Sequence, residues 1–214
     1  MSDDLLTYPA VQNYIANLVP PREAELVEME AYAEKNDFPI IGPACGYYCY
    51  QLARMIKASS VFELGSGFGY STAWFAKAIK ENGGGVVHHT VWEEALSERA
   101  RRHLVKLGCA DTVQFHISEA VAALKGVDGP FDIIFNDIDK EQYPASLSVI
   151  KEKLRSGGLL IIDNMLWHGR IFDKKDIAPT TMGVQEFTRR ITNDPDWIVS
   201  LAPMRDGMIV AYKK

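Results

Sequence analysis

The 214-residue sequence contains no apolar run of about 18 residues or more, which argues against a membrane-spanning helix. It has three cysteines, Cys45, Cys49 and Cys109, with no CxxC pair, so neither a disulfide framework nor a paired-cysteine zinc site is expected. Reduced thiols in a cytoplasmic protein are the expectation. The opening residues MSDDLLTYPA carry two acids and no basic segment, unlike a secretory signal. Positive charge is also short. The 23 Lys and Arg against 28 Asp and Glu leave a net charge of −5, which argues against a broad nucleic-acid-binding face. Repeats, linkers and low-complexity tracts are missing too, so residues 1–214 read as one domain with an N-terminal helical extension over 1–37. What is present, 47% hydrophobic and 24% charged residues, suits a full α/β core.

Helical patterning opens the chain. In PREAELVEMEAYAEK (21–35), Pro21 stands at an expected first helical position, and Leu26, Met29 and Ala33 recur at helical spacing. Pro39 and Pro43 read as breaks, followed by an apolar helix over CGYYCYQLARMIKA. From residue 60 strands and helices alternate. The expected strands are 61–64, 86–91, 113–117, 131–136 and 159–163, separated by STAWFAKAIKE, EALSERARRHLVKLG, EAVAALK and QYPASLSVIKEKLR as helices. Such alternation implies right-handed βαβ units and a parallel sheet covered on both faces. WIVSL (197–201) and GMIVAYK (207–213) are too close together for a crossover and are expected to pair as an antiparallel hairpin.

The turn VFELGSGFGYST lacks the dinucleotide pattern GxGxxG, because Tyr70 stands where the third glycine would be counted from Gly65. It carries Gly65, Gly67 and Gly69 instead, with Glu63 two residues before the first. A carboxylate beside a glycine turn suits a ligand bearing an ammonium group, as S-adenosylmethionine does, better than a pyrophosphate.

Two apolar strands end in oxygen donors. FDIIFN runs into Asp137, Asp139 and Lys140, and LLIID ends in Asp163 and Asn164. In open α/β sheets ligands sit beyond the carboxyl ends of strands, so Asp137, Asp163 and Asn164 are expected in one crevice. Two carboxylates and an amide oxygen suit Mg²⁺, Mn²⁺ or Ca²⁺. Asp139, two residues on, reads as supporting the ligands from behind. Capped turns are the competing reading at both strand ends. Tyr143, Trp167 and His168 lie near these motifs, as pocket walls or as packing, and His88 and His89 read as structural strand residues.

Together, ELGSGFGYS, FNDIDK, IIDNMLWHG and DGMIVAYK resemble the cation-dependent O-methyltransferases of the caffeoyl-CoA and catechol type, in a bacterial form. The resemblance implies a Rossmann-like class I methyltransferase fold: a mostly parallel seven-stranded sheet with a C-terminal antiparallel hairpin and helices on both faces. It implies methyl transfer from S-adenosylmethionine to a hydroxylated aromatic acceptor, and a homodimer. By the same resemblance, Ile41, Glu63, Gly65, Ser66, Gly67, Ser71, Glu119 and Asp137 bind the cofactor. Asp137, Asp163 and Asn164 hold the metal, and Lys140 is the general base. Val91 occupies the place where relatives end the second strand in a ribose-binding acid. Either a local shift brings Glu93 to that task, or Glu93 and Glu94 are acids of a helix's first turn. A tRNA hydroxyuridine is an alternative acceptor, and a non-catalytic cofactor-binding module is a third reading.

Overall fold

The structure, a computed structural model, describes residues 8–214. The first seven residues of the expected helical extension lie outside the described residues. Three helices come first, α1 (Tyr8–Asn17), α2 (Ala24–Lys35) and α3 (Gly42–Met55). The alternating part follows: β1 (Ser60–Leu64), α4 (Tyr70–Glu81), β2 (Val86–Val91), α5 (Glu94–Lys106), β3 (Val113–Ile117), α6 (Ala120–Gly126), β4 (Phe131–Asn136), α7 (Tyr143–Lys153) and β5 (Leu154–Ile162). The chain then adds α8 (Pro179–Asn193) and the hairpin β6 (Trp197–Ala202) and β7 (Met208–Lys213).

The strands form one seven-stranded sheet in the order β3-β2-β1-β4-β5-β7-β6. β1 to β5 are mutually parallel, while β7 runs antiparallel to both β5 and β6. This is the Rossmann-like, mostly parallel sheet with a terminal hairpin expected from the sequence. Strand order reverses between β1 and β4, where a crevice opens at their carboxyl ends. Successive strand residues face opposite layers. Val61, Ile133, Leu159 and Ile161 pack with α2 to α5, whereas Phe62, Ile134, Leu160 and Ile162 pack with α6 to α8. Burial on both faces explains why these strands read as continuous apolar runs.

Four boundaries differ from the sequence expectation. α2 starts at Ala24, leaving Pro21 outside its first turn. Pro43 does not break the chain but sits in the first turn of α3, where its missing N–H has no helical partner to lose. α7 stops at Lys153, and Leu154 already begins β5. The 15-residue α8 has no counterpart in the sequence reading, although Val184, Phe187 and Ile191 bury one face of it. Leu26, Met29 and Ala33 are buried as their spacing implies. α2 is further held by the Arg22–Glu30 ion pair at 2.7 Å and by the Tyr70 hydroxyl, which donates to Glu30 at 2.7 Å. No helix among the described residues is long and apolar enough to cross a membrane.

His88 and His89 lie buried in β2, as expected of structural residues, and His88 Nδ1 sits 2.9 Å from His116 Nε2 on β3. Burial, helped by the facing His116, holds His88 down at about 4, and burial holds His89 down at about 3. Both lie below the unfolded value of about 6.5, so their stabilisation is full above that pH and is lost as pH falls toward 4 and 3. Glu63 and Asp163, raised to about 7, act in the opposite direction over the same window. The contribution of His88 is therefore read by difference. Thermal unfolding from pH 7.5 to 4 is expected to show His88→Gln gaining on the parent chain below pH 6.5, by up to about 1.4 kcal/mol per pH unit. A pH-independent difference would contradict it.

Candidate active site

The crevice begins with the glycine turn between β1 and α4. Gly65 has φ +84°, and a Cβ there would stand 2.6 Å from the Asp137 carbonyl oxygen, so only glycine lets this turn lie against the end of β4. Ser66 ties the turn to β2: its N–H donates to the Thr90 carbonyl, and its Oγ accepts from the Thr90 N–H, both at 2.9 Å. Gly67 and the buried Ser71 complete the wall at this end, with Ile41 opposite.

Glu63 does not reach the crevice wall. It is fully buried behind the turn, where the Thr72 hydroxyl donates to its Oε2, and Thr72 Oγ1 in turn lies 3.0 Å from His89 Nδ1. Burial pushes its carboxyl up to about 7 against the pull of the Ser71, Thr72 and Ser66 hydroxyls. Its second oxygen, Oε1, is buried without a partner.

The ends of β4 and β5 supply the charged wall. Asp137 follows β4, and its N–H donates to the Leu64 carbonyl at 2.8 Å. Lys140 Nζ donates to Asp137 Oδ1 at 2.7 Å and to the Ile138 carbonyl at 3.2 Å. It also lies 5.2 Å from the ring of Tyr143 and 5.7 Å from that of Trp167. Only 10% of the lysine side chain is exposed, so this ammonium group is positioned rather than solvated. Asp163 is 1% exposed. One oxygen lies 3.2 Å from the Arg205 guanidinium, and the other, Oδ1, is buried without a partner. Burial and the charge of Asp137 push the Asp163 carboxyl up to about 7, and Arg205 pulls it back. Asn164 adopts φ +59° and donates through Nδ2 to Asp206 at 3.3 Å, which leaves its amide oxygen as an electron-pair donor.

Asp137, Asp163 and Asn164 thus line one crevice of about 530 Å³ together with Gly65, Ser66 and Gly67. Among the described residues no three His, Cys, Asp or Glu side chains gather as a metal-binding group. The set here has only two carboxylates, with an amide oxygen as its third member. An orphaned carboxylate oxygen buried beside a second carboxylate is nonetheless the chemistry that a hard divalent cation satisfies.

At the far end of the crevice the wall is Val91, Trp92, Ser118 and Glu119. Glu119 caps α6, its carboxylate accepting the Val121 and Ala122 N–H groups at 2.9 and 2.6 Å. Of the two readings of Glu93, the structure accords with the helix-end one: it stands exposed at the N-cap of α5, one residue past Trp92, and is not among the residues lining the crevice. Sequence reasoning missed Arg205 and Asp206. Asp206 is 7% exposed and accepts the His168 N–H at 2.6 Å, locking the segment after β5 onto the β6–β7 turn. The available signals were the adjacent charges in a short hairpin loop and the place of Asp206 at the head of DGMIVAYK. Tyr143 is a packing residue, fully buried, with its hydroxyl donating to the Asp163 carbonyl at 3.0 Å.

A family model described as O-methyltransferase matches residues 20–214. A catechol O-methyltransferase of Niastella koreensis is 27% identical over 97% of this chain and 98% of its own length. A caffeoyl-CoA O-methyltransferase of Eucalyptus gunnii is 29% identical over 98% of this chain and 89% of its own. Among solved structures, an O-methyltransferase from Bacillus cereus in complex with S-adenosylhomocysteine superposes with a TM-score of 0.84 at 25% identity, covering 96% of this chain and 97% of that one. An O-methyltransferase of Streptomyces achromogenes involved in tomaymycin synthesis, in complex with S-adenosylmethionine, gives a TM-score of 0.85 at 24% identity, a likeness of fold alone. It covers 96% of both chains.

Proposed function

The chain belongs to the O-methyltransferase family, and from that premise we propose that it transfers the methyl group of S-adenosylmethionine to a hydroxyl of a small catechol-like or phenolic acceptor held by a divalent cation. The observation that carries this reading is the buried, unpartnered Asp163 Oδ1 in one crevice with Asp137, Asn164 and the glycine turn. Relatives named for catechol and caffeoyl-CoA support an aromatic hydroxyl as the acceptor class.

S-adenosylmethionine supplies an electrophilic methyl on a sulfonium. Gly65, Ser66, Gly67 and Ser71 bring backbone and hydroxyls close to its amino-acid end, with Glu63 buried behind the turn. Ile41 and Asp137 border the same end, and Glu119 and Trp92 border the other. Glu93 is left out of cofactor contact.

Asp137, Asp163 and Asn164 are the residues that hold Mg²⁺, Mn²⁺ or Ca²⁺, and the bound cation supplies the charge that favours an ionised acceptor hydroxyl. Lys140, held by Asp137 at the acceptor's side of the crevice, is the general base for the hydroxyl proton. Fixing the acceptor oxygen toward the methyl makes the displacement a positioned reaction. Trp167 borders the crevice beside Lys140. The same reading takes residues 1–214 as one domain of a cytoplasmic homodimer. The buried, unpaired Cys45, Cys49 and Cys109 accord with a reducing compartment.

A transfer assay with methyl-labelled S-adenosylmethionine tests the acceptor class, comparing a panel of catechols with bulk tRNA. Label is expected on catechols. Label on tRNA alone would move the proposal to a hydroxyuridine acceptor, against which stands the pairing of Arg170 with Asp176 on the segment after the crevice.

A further inference from the structure

We infer that this chain does not read the ribose hydroxyls of its cofactor: Val91 and Trp92 give the nucleoside an apolar, stacking seat in place of a carboxylate on the 2′ and 3′ hydroxyls. The inference rests on the proposed use of S-adenosylmethionine and specifies which cofactors the crevice accepts.

Backbone geometry fixes what stands at this place. Ser66 exchanges two hydrogen bonds of 2.9 Å with Thr90, so the residue after Thr90 lies beside the glycine turn, toward the Trp92 and Glu119 end of the crevice. That residue is Val91, the last of β2. Its register is continuous. Successive pairs from Val87 with Val113 to Val91 with Ile117 join β2 to β3, and the Ser118 N–H donates to the Val91 carbonyl at 3.1 Å. Without a bulge in this pairing no later residue is shifted inward, and Glu93 stays at the exposed end of α5.

Negative charge is scarce on this side. Among the described residues the carboxylates lining the crevice are Asp137, Asp139, Asp163 and Glu119, and the first three follow β4 and β5. Glu119 is engaged in the cap of α6, where its two oxygens accept the Val121 and Ala122 N–H groups at 2.9 and 2.6 Å. Thr90 also lines the wall, but its hydroxyl oxygen is buried. Doubly wound folds that bind a nucleoside commonly place an acid roughly 20 residues past the glycine turn, where it accepts a ribose hydroxyl. Val91, 8% exposed, offers only apolar surface there, so ribose hydroxyls beside it have no charged partner. Trp92 supplies the compensating contact. Its indole is 67% exposed at the crevice wall, and stacking on an aromatic ring holds a base without hydrogen bonds to its sugar.

The test is calorimetric titration of S-adenosylhomocysteine and of its 2′-deoxy and 3′-deoxy analogues into the full chain. The three dissociation constants are expected to agree within about fivefold, because a hydroxyl bonded to a carboxylate is worth about tenfold or more and none is bonded so here. A larger loss on removing either hydroxyl would overturn the inference. Val91→Asp puts a carboxylate at the end of β2 and is expected to separate S-adenosylhomocysteine from the deoxy analogues by about tenfold or more. A Val91→Asp chain that binds all three alike would overturn the placement of Val91 against the ribose. Trp92→Ala is expected to weaken all three ligands equally, by about fivefold or more, and parental affinities in that variant would overturn the role of the indole. The parent series decides the matter where a variant fails to fold. Unequal binding by the parent chain sinks only this inference, whereas a parent chain that does not bind S-adenosylhomocysteine sinks the proposed methyl transfer as well.

Discussion

Asp137→Ala is expected to lower methyl transfer to a catechol by about a thousandfold or more, and added Mg²⁺ or Mn²⁺ is not expected to restore it. Loss of several kcal/mol of charge stabilisation at the acceptor oxygen corresponds to that factor. Two consequences of the substitution act together. One of only three oxygen donors is lost, and Lys140, whose Nζ lies 2.7 Å from Asp137 Oδ1, loses the carboxylate that positions it. Asp139→Ala is the control. Asp139 lines the same crevice, yet it stands at the start of the Lys140–Gln142 turn and is read as supporting the ligands, so a far smaller loss is expected. Steady-state kinetics with labelled S-adenosylmethionine across a range of metal concentrations checks both. Rescue of Asp137→Ala by excess metal would show that Asp163 and Asn164 suffice.

Lys140→Met separates proton transfer from binding. The methionine keeps much of the apolar length that fills the space between Tyr143 and Trp167, so the fold and the metal ligands are expected to survive. Turnover is expected to fall by about 10²- to 10⁴-fold, the usual worth of a positioned general base. The dissociation constant for S-adenosylhomocysteine is expected to stay within about twofold of the parent chain's, since no cofactor contact is removed. The deficit is expected to deepen as pH falls, because fewer acceptor hydroxyls are then ionised without help. A variant with parental turnover at every pH would assign Lys140 to structure alone, as the ion-pair partner of Asp137.

Much of this architecture is written locally in the chain. Val61 to Leu64, Ile133 to Phe135 and Leu159 to Ile162 announce buried strands because both sheet faces are covered, and the polar residues that follow them mark the crevice. Gly65 announces its turn because no other residue tolerates both its φ and the approach of the Asp137 carbonyl. What stayed hidden depends on partners distant in sequence. Arg205 pairs with Asp163 across 42 positions, through a hairpin whose β7 strand lies against β5. Nothing in the loop APMRD reveals that register. α8 was obscured because its buried face is thin, Val184, Phe187 and Ile191 among polar neighbours, and because Pro179 opens it directly after an irregular charged segment. The position of Glu63 beside the glycines was legible, but only the structure shows that Thr72 holds its Oε2 while its Oε1 is buried without a partner.

The acceptor being held by a cation at the two strand ends is tested most directly by one measurement: transfer of labelled methyl from S-adenosylmethionine to a catechol, first in excess EDTA and then with Mg²⁺ or Mn²⁺ returned. No transfer in EDTA and recovery on adding metal is the expected result. Full activity in EDTA would contradict it and return Asp137, Asp163 and Asn164 to the role of polar residues closing two turns.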